Sequence, residues 1–248
     1  MSIEQLQENG LTGPFELADK SLVDAVCEVG IELQALQRQE NIVRQLAGQE
    51  PQFRTKIDRH MEFKVMRDLC LDDNVKSVVS EHFGNDLFIW GSVFQLKSEG
   101  VSENIWHHDR AYENGRDQVN LYDTSNHFTV LFALTDIGYG AGRIEYVKGS
   151  HQPIDGWNRD MRFVKEVPEL VHDRIGTLTM ERGQFTVFHS QIMHRSLPFE
   201  YGEPRISLAV RLARKGTQIP DYYPQNPNPA AETQGIARFI PSATFDFN

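Results

Sequence analysis

Apolar positions along the chain change their period near residue 86. Before that point Leu22, Val26, Val29, Leu33 and Leu36 recur at three- and four-residue intervals, tracing one face of an amphipathic helix. Ser21 stands where an N-cap belongs, so a helix is predicted from Ser21 to about Leu46, broken by Gly48 and Pro51. A second helical stretch is expected over about 59–71, and a shorter third one after Asp72-Asp73-Asn74, ending near Gly84. Ahead of these, Asn9-Gly10 and Gly13-Pro14 are turn signals. Residues 1–18 are therefore expected to form a loop, with at most a short lead-in strand at Phe15-Glu16-Leu17.

From Asp86 the period shortens to two. Leu87 to Leu96 is apolar on both faces, as a strand buried between two layers would be. His127–Asp136, Arg143–Lys148, Thr177–Glu181 and Phe185–His189 follow as short strands, with turns at Tyr139–Gly142 and Arg182-Gly183. Arg205–Ala213 alternates most cleanly: Ile206, Leu208, Val210 and Leu212 share one face, and Arg205, Ser207, Ala209 and Arg211 the other. Alternation alone favours a solvated face on an edge strand. The alternative is an inward polar face lining a cavity, where two guanidiniums need anionic partners. Residues 152–176 are irregular and polar and suit a lid; the tail from Gly216, rich in Pro, Asn and Gln, is expected to wrap the surface. Helices followed by many short strands predict an α+β, mainly β class with a sandwich or barrel core. The expected organisation is one domain, with 1–85 mainly helical, 86–213 the strand core and 214–248 the tail.

At 248 residues the chain is long enough for one solid core, and its net charge of −10 without clustered Lys or Arg argues against a nucleic-acid partner. Cys27 and Cys70 have no metal-site spacing and imply no disulfide framework. The polar N-terminus lacks a signal-peptide order, and no apolar run approaches a membrane span of about 18 residues. A cytoplasmic protein acting on a small molecule is the expectation, with no nucleic acid or membrane as partner.

Candidate chemistry sits in Trp106-His107-His108-Asp109-Arg110. In extended backbone His107 and Asp109 point to one side. Two imidazoles and one carboxylate would cap one face of a ferrous ion and leave the opposite face open. A third ligand must come from elsewhere, and both His189 and His194 are available.

Three blocks resemble the phytanoyl-CoA dioxygenase-like branch of the ferrous iron, 2-oxoglutarate-dependent oxygenases: WHHD at 106–109, GRIEYVKGSH at 142–151, and GQFTVFHSQIMHRSLP with RISLAVR between 183 and 211. The family's late His-x-Ser, followed by Arg eleven positions after the His, is matched by His194, Ser196 and Arg205, and not by His189. The resemblance covers about 86–213 and implies a double-stranded β-helix (jelly-roll, cupin-like) core. It further implies that His107, Asp109 and His194 hold Fe(II), and that Arg205 binds the distal carboxylate of 2-oxoglutarate with help from Ser196, Ser207 and Thr129. The implied reaction consumes O2 and 2-oxoglutarate, releases succinate and carbon dioxide, and hydroxylates an unactivated C–H. Relatives that halogenate replace the carboxylate ligand with a small residue, so Asp109 favours hydroxylation. Arg110, Tyr112, His127, Trp157 and Arg211 are candidates for the cavity mouth, and a small polar metabolite, an amino acid or a natural-product intermediate, is the preferred substrate. Desaturation, ring closure or demethylation by the same site, a cupin-type metalloenzyme without 2-oxoglutarate, and a non-catalytic jelly-roll binding module are the competing readings.

Overall fold

A computed structural model describes residues 3–52, 55–101, 103–109, 127–157, 163–215 and 245–246. A short helix α1 (Ile3–Asn9) leads into strand β1 (Leu11–Glu16) and a long helix α2 (Ser21–Leu46). Helices α3 (Lys64–Cys70) and α4 (Asp73–Phe83) follow. The strands are β2 (Leu87–Lys97), β3 (Asn104–His107), β4 (His127–Ala133), β5 (Ile144–Val147) and β6 (Phe163–Val164), then β7 (Ile175–Leu178), β8 (Gln184–His189), β9 (His194–Ser196), β10 (Arg205–Arg214) and β11 (Phe245–Asp246). They form two antiparallel sheets. The larger has the order β1-β8-β4-β10-β2-β11 and the smaller β6-β3-β9-β5-β7. From β2 to β5, and again from β7 to β10, successive strands alternate between the two sheets, which is the jelly-roll arrangement.

The alternation of β10 decides how the layers stack. Leu208 opposes Phe94 on β2 and Phe132 on β4, and Val210 opposes Val130. This row faces outward onto Val23, Val26 and Leu33 of α2, Met66 and Leu69 of α3, and Val75, Val79 and Phe83 of α4. Gly30 of α2 permits the close docking: a Cβ there would lie 2.9 Å from the ring of Phe94. That contact offsets the roughly 1 kcal/mol a helical glycine costs in propensity. The opposite faces of the sheets enclose a second apolar cluster that includes Leu131, Ile144, Leu178, Phe188 and Ala209.

Four expectations change. The edge-strand reading of Arg205–Ala213 is wrong: β10 lies between β2 and β4, and every residue from Arg205 to Ala213 is buried. Residues 3–9 are helical and 11–16 form a sheet strand, because β1 pairs with β8 across a register shift at Gly13-Pro14. As an edge strand it tolerates a proline that a central strand would not. The helix expected over 59–71 is split into a 3₁₀ turn, Arg59–Met61, and α3, with Phe63 extended between them. The cap of α2 is also different: Asp19 accepts from the Ser21 amide and hydroxyl, whereas Ser21 itself is the first helical residue. Asp72 caps α4 as expected, accepting from the amides of Asn74 and Val75. Apart from β11 the tail lies outside the described residues, as do 158–162 of the lid region.

Leu208 is fully buried between the two aromatic rings that oppose it. Leu208→Ala is expected to lower stability by about 2–5 kcal/mol, read as a fall in the urea midpoint at unchanged slope.

Candidate active site

The register of the smaller sheet places His107 of β3 directly opposite His194 of β9. Each ring donates from Nδ1 to the carbonyl two residues earlier, Ile105 at 2.7 Å and Ile192 at 3.0 Å. A carbonyl can only accept, so Nδ1 carries the hydrogen and Nε2 keeps its lone pair. Asp109 lies just past the end of β3. Its Oδ2 accepts from the Thr129 hydroxyl at 2.5 Å, while Oδ1 stands 3.9 Å from His194 Nε2 and 3.6 Å from Arg211 Nη2. One ligand-capable atom from each of His107, Asp109 and His194 falls within 4.8 Å of the others.

The electrostatics put these groups in their ligating forms. Burial, and then the neighbouring His194, push His107 down to about 3, so its imidazole is neutral. Burial acts to raise Asp109, but Arg211, His194 and the Thr129 hydrogen bond outweigh it and hold the carboxyl below its ordinary range. Neutral imidazole and ionised carboxylate are the states a metal requires. The donor set is the two-His, one-carboxylate triad of non-haem iron, so the residues fit the ion.

From this triad a cavity of about 510 Å³, counting its open mouth, runs between the sheets. Its other walls include Leu131, Ile144, Leu178 and Ala209 and the polar Gln95, Asn104 and Ser196. Arg205 is fully buried, two residues before Ser207, which opposes the cavity-lining Gln95. Its Nη1 donates to the Gly142 carbonyl, while Nε and Nη2 have no partner among the described residues. The hydroxyls of Ser196 and Ser207 are buried and unpartnered in the same way. Gly142 is required: its φ is +71°, and a Cβ would meet the Leu197 carbonyl oxygen at 2.9 Å. Unpaired buried donors are costly, and Arg205 and Ser207 carry theirs two residues apart on β10. Lys97 opposes Arg205 across β2 and β10 and is itself buried.

The remaining candidates are placed as follows. Thr129, expected beside the cosubstrate, donates its hydroxyl to Asp109 Oδ2. It opposes Arg211 in register, and Arg211 lies six residues, about 20 Å of strand, from Arg205. Arg211, expected at the mouth, is buried over the Trp90 ring, with 5.5 Å from its guanidinium carbon to the ring centre, and faces Asp109. His127 is buried edge-on to Trp90 and is not part of the cavity wall. Trp157 packs with Trp106 and Val147 on the outer side of the smaller sheet. Arg110 and Tyr112 lie outside the described residues. His189 points away from the triad and stacks on His151 at 4.7 Å. Sequence reasoning missed Gln95, Lys97, Asn104 and Tyr146. The first two were legible as polar positions two apart in a strand otherwise taken as apolar on both faces.

The profile described as phytanoyl-CoA dioxygenase (PhyH) matches residues 6–206. No curated protein matches the sequence. Among solved structures, the non-heme monooxygenase ThoJ in its nickel complex superposes with a TM-score of 0.65 at 17% identity, covering 96% of this chain and 94% of ThoJ. The epimerase SnoN, in complex with Fe3+, alpha-ketoglutarate and nogalamycin RO, gives 0.63 at 17% identity, covering 86% and 82%. CytC3 with Fe(II) and alpha-ketoglutarate gives 0.58 at 20% identity, covering 91% and 80%. At such identities the likeness is one of fold. No helix among the described residues is long and apolar enough to cross a membrane.

Burial, and then the Arg205 charge, draw the Lys97 ammonium from 10.5 down to about 8. Between these values the unfolded chain holds a proton that the folded protein has lost, so stability rises with pH across that window. Below about 8 the cost of the buried charge is present in full. Lys97→Met is therefore expected to raise the melting temperature at neutral pH, by a margin that shrinks as pH rises from 8 to 10.5. An equal or lower melting temperature at neutral pH would mean that the ammonium is fully compensated.

Proposed function

The chain belongs to the phytanoyl-CoA dioxygenase family, and from that premise we propose that it is an Fe(II)- and 2-oxoglutarate-dependent oxygenase hydroxylating an unactivated C–H of a small metabolite. Dioxygen is the second cosubstrate; succinate and carbon dioxide are the coproducts. The observation that carries this reading is the placement of a neutral His107, an ionised Asp109 and His194 on a cavity that Gln95 and Ser196 also line, with buried unpaired donors on Ser196, on Ser207 opposite Gln95, and on Arg205 two residues before Ser207. A binding module without a reaction has no need of both features on one axis, and a metalloenzyme that uses no dicarboxylate leaves Arg205 unexplained.

His107, Asp109 and His194 would hold the iron. When bound, the ion with 2-oxoglutarate and dioxygen supplies the oxidising power for C–H cleavage. The chain's own residues bind, orient and exclude water. Thr129 occupies Asp109 Oδ2 and leaves Oδ1 turned toward the histidines, an outer contact of the kind that fixes ligand geometry. Arg205 grips the distal carboxylate with a fork that a lysine cannot copy, braced from behind by Gly142. Leu131, Ile144 and Leu178 are apolar walls of the cavity and help keep it dry. Asp109 occupies the position a halide ligand would need, which supports hydroxylation. A natural-product intermediate or an amino acid is the substrate class; the nogalamycin compound in the SnoN complex favours the former.

In an anaerobic titration with Fe(II) and 2-oxoglutarate, followed by the visible charge-transfer band, His194→Ala is expected to abolish the signal and His189→Ala to leave it intact. The reverse result would move the metal to the other histidine. Arg205→Lys should weaken 2-oxoglutarate by about 1–3 kcal/mol, read as a raised KM with iron affinity unchanged. With the native protein, succinate release should depend on substrate and yield a product one oxygen heavier; a chlorinated product would overturn the role given to Asp109.

A further inference from the structure

Helix α2 is apolar on two sides. Val23, Val26, Gly30, Leu33 and Gln37 form its buried face. After Gln37 no residue of α2 is buried, although the helix runs on to Leu46, about 14 Å further. Over that length the chain folds back along the buried side. Asn41 exchanges two hydrogen bonds with the Gln52 backbone, at 2.9 and 2.8 Å, and Arg44 Nε donates to the Glu50 carbonyl at 2.6 Å. The opposite side carries Ile31, Leu36, Ile42, Val43 and Leu46, exposed by 51, 46, 57, 66 and 84%. At roughly 100° per residue these five fall within a sector of about 140°, turned away from Gly30 and Leu33. No other helix or strand among the described residues exposes more than one large apolar side chain. A surface helix ordinarily turns polar residues to water, and a contiguous apolar patch marks an interaction surface.

We propose that this stripe is the interface of a homodimer, in which the α2 helices of two copies pack antiparallel about a two-fold axis near Gln39. The area suffices. The five side chains expose on the order of 600 Å², and two copies face to face would remove about 1,200 Å², the lower end of the range for a stable specific interface. The stripe is also complementary to itself in this direction, as a two-fold contact requires. With Gln39 opposite its own copy, Leu36 meets Val43, Ala35 meets Ile42 and Ile31 meets Leu46, each pair being centred on position 39 to within one residue. The Gln39 amides both donate and accept, so they satisfy one another across the axis. Charge selects the direction. Glu28 and Glu32 are exposed on the same side, and a parallel pair would set each against its copy. Antiparallel packing holds the two Glu32 carboxylates about 20 Å apart along the axis. Those carboxylates and the net charge of −10 disfavour an anionic bilayer as the occupant. None of these residues lines the cavity, so the inference is independent of the proposed function.

Sedimentation equilibrium of the full chain is expected to give twice the chain mass at micromolar concentration. Val43→Glu and Ile42→Glu each introduce a charge into the contact, twice over because the contact is symmetric. Each should raise the dimer dissociation constant at least about 100-fold, with circular dichroism unchanged, since both side chains are exposed in the protomer. Tyr201→Glu, at an equally exposed apolar position elsewhere, should leave the mass unchanged. If a glutamate variant fails to fold, Val43→Ser and Ile42→Ser should weaken the dimer about ten-fold. Oxidative cross-linking reads the direction, with the unmodified protein as the blank for Cys27 and Cys70. Gln39→Cys should cross-link to its own copy, and a mixture of Ala35→Cys and Ile42→Cys should cross-link across the pair, whereas Ile42→Cys alone should not. A monomer at every concentration, or a dimer that survives both glutamate substitutions, would overturn the proposal. Cross-linking of Ile42→Cys to itself would overturn the antiparallel arrangement.

Discussion

A guanidinium buried inside a jelly roll is the constraint on which the rest of the structure depends. Arg205 has no solvent exposure and, among the described residues, finds one acceptor, the Gly142 carbonyl. Desolvating a charge costs several kcal/mol unless geometry and hydrogen bonds repay it. The fold holds it there because β10 is paired on both sides and cannot rotate its polar face outward without losing the Ile206, Leu208, Val210 and Leu212 row to water. A slip of one residue would exchange the two faces entirely. The hydrophobic contacts with α2, α3 and α4 thus hold a guanidinium away from water.

The same register logic fixes the metal end. His107 and His194 meet because β3 and β9 are neighbours, and Asp109 joins them because Thr129 and Arg211, opposed on β4 and β10, receive its carboxylate from the larger sheet. The triad therefore bridges the two sheets. Two ligands belong to one sheet, and the third is oriented by the other, so the separation of the layers controls the size of the coordination site. Packing of Leu131, Ile144, Leu178 and Ala209 sets that separation. The hydrophobic core and the polar site are in this sense one object.

The chain by itself determined the element types over most of its length, because periods of 3.6 and 2 leave their mark wherever one face is buried. It also determined the chemical vocabulary: His107 and Asp109 on one side of an extended segment, and Arg205 and Ser207 on one face of a strand. Local geometry suffices for such statements, since the side chains concerned are two residues apart. Their environment was not legible. Alternation is the same for an edge strand facing water and a central strand facing a cavity, and the neighbours that distinguish them are more than seventy residues away in β4 and about a hundred and ten away in β2. Thr129 and Arg211 were assigned to ligands when the register had already committed them to Asp109. Asn104 was passed over because a four-residue strand carries no periodic signal, and Gln95 because nothing near it in sequence tied it to the site. Which polar group meets which is settled by strand order and by contacts across the space between the sheets, and those exist only once the chain has folded.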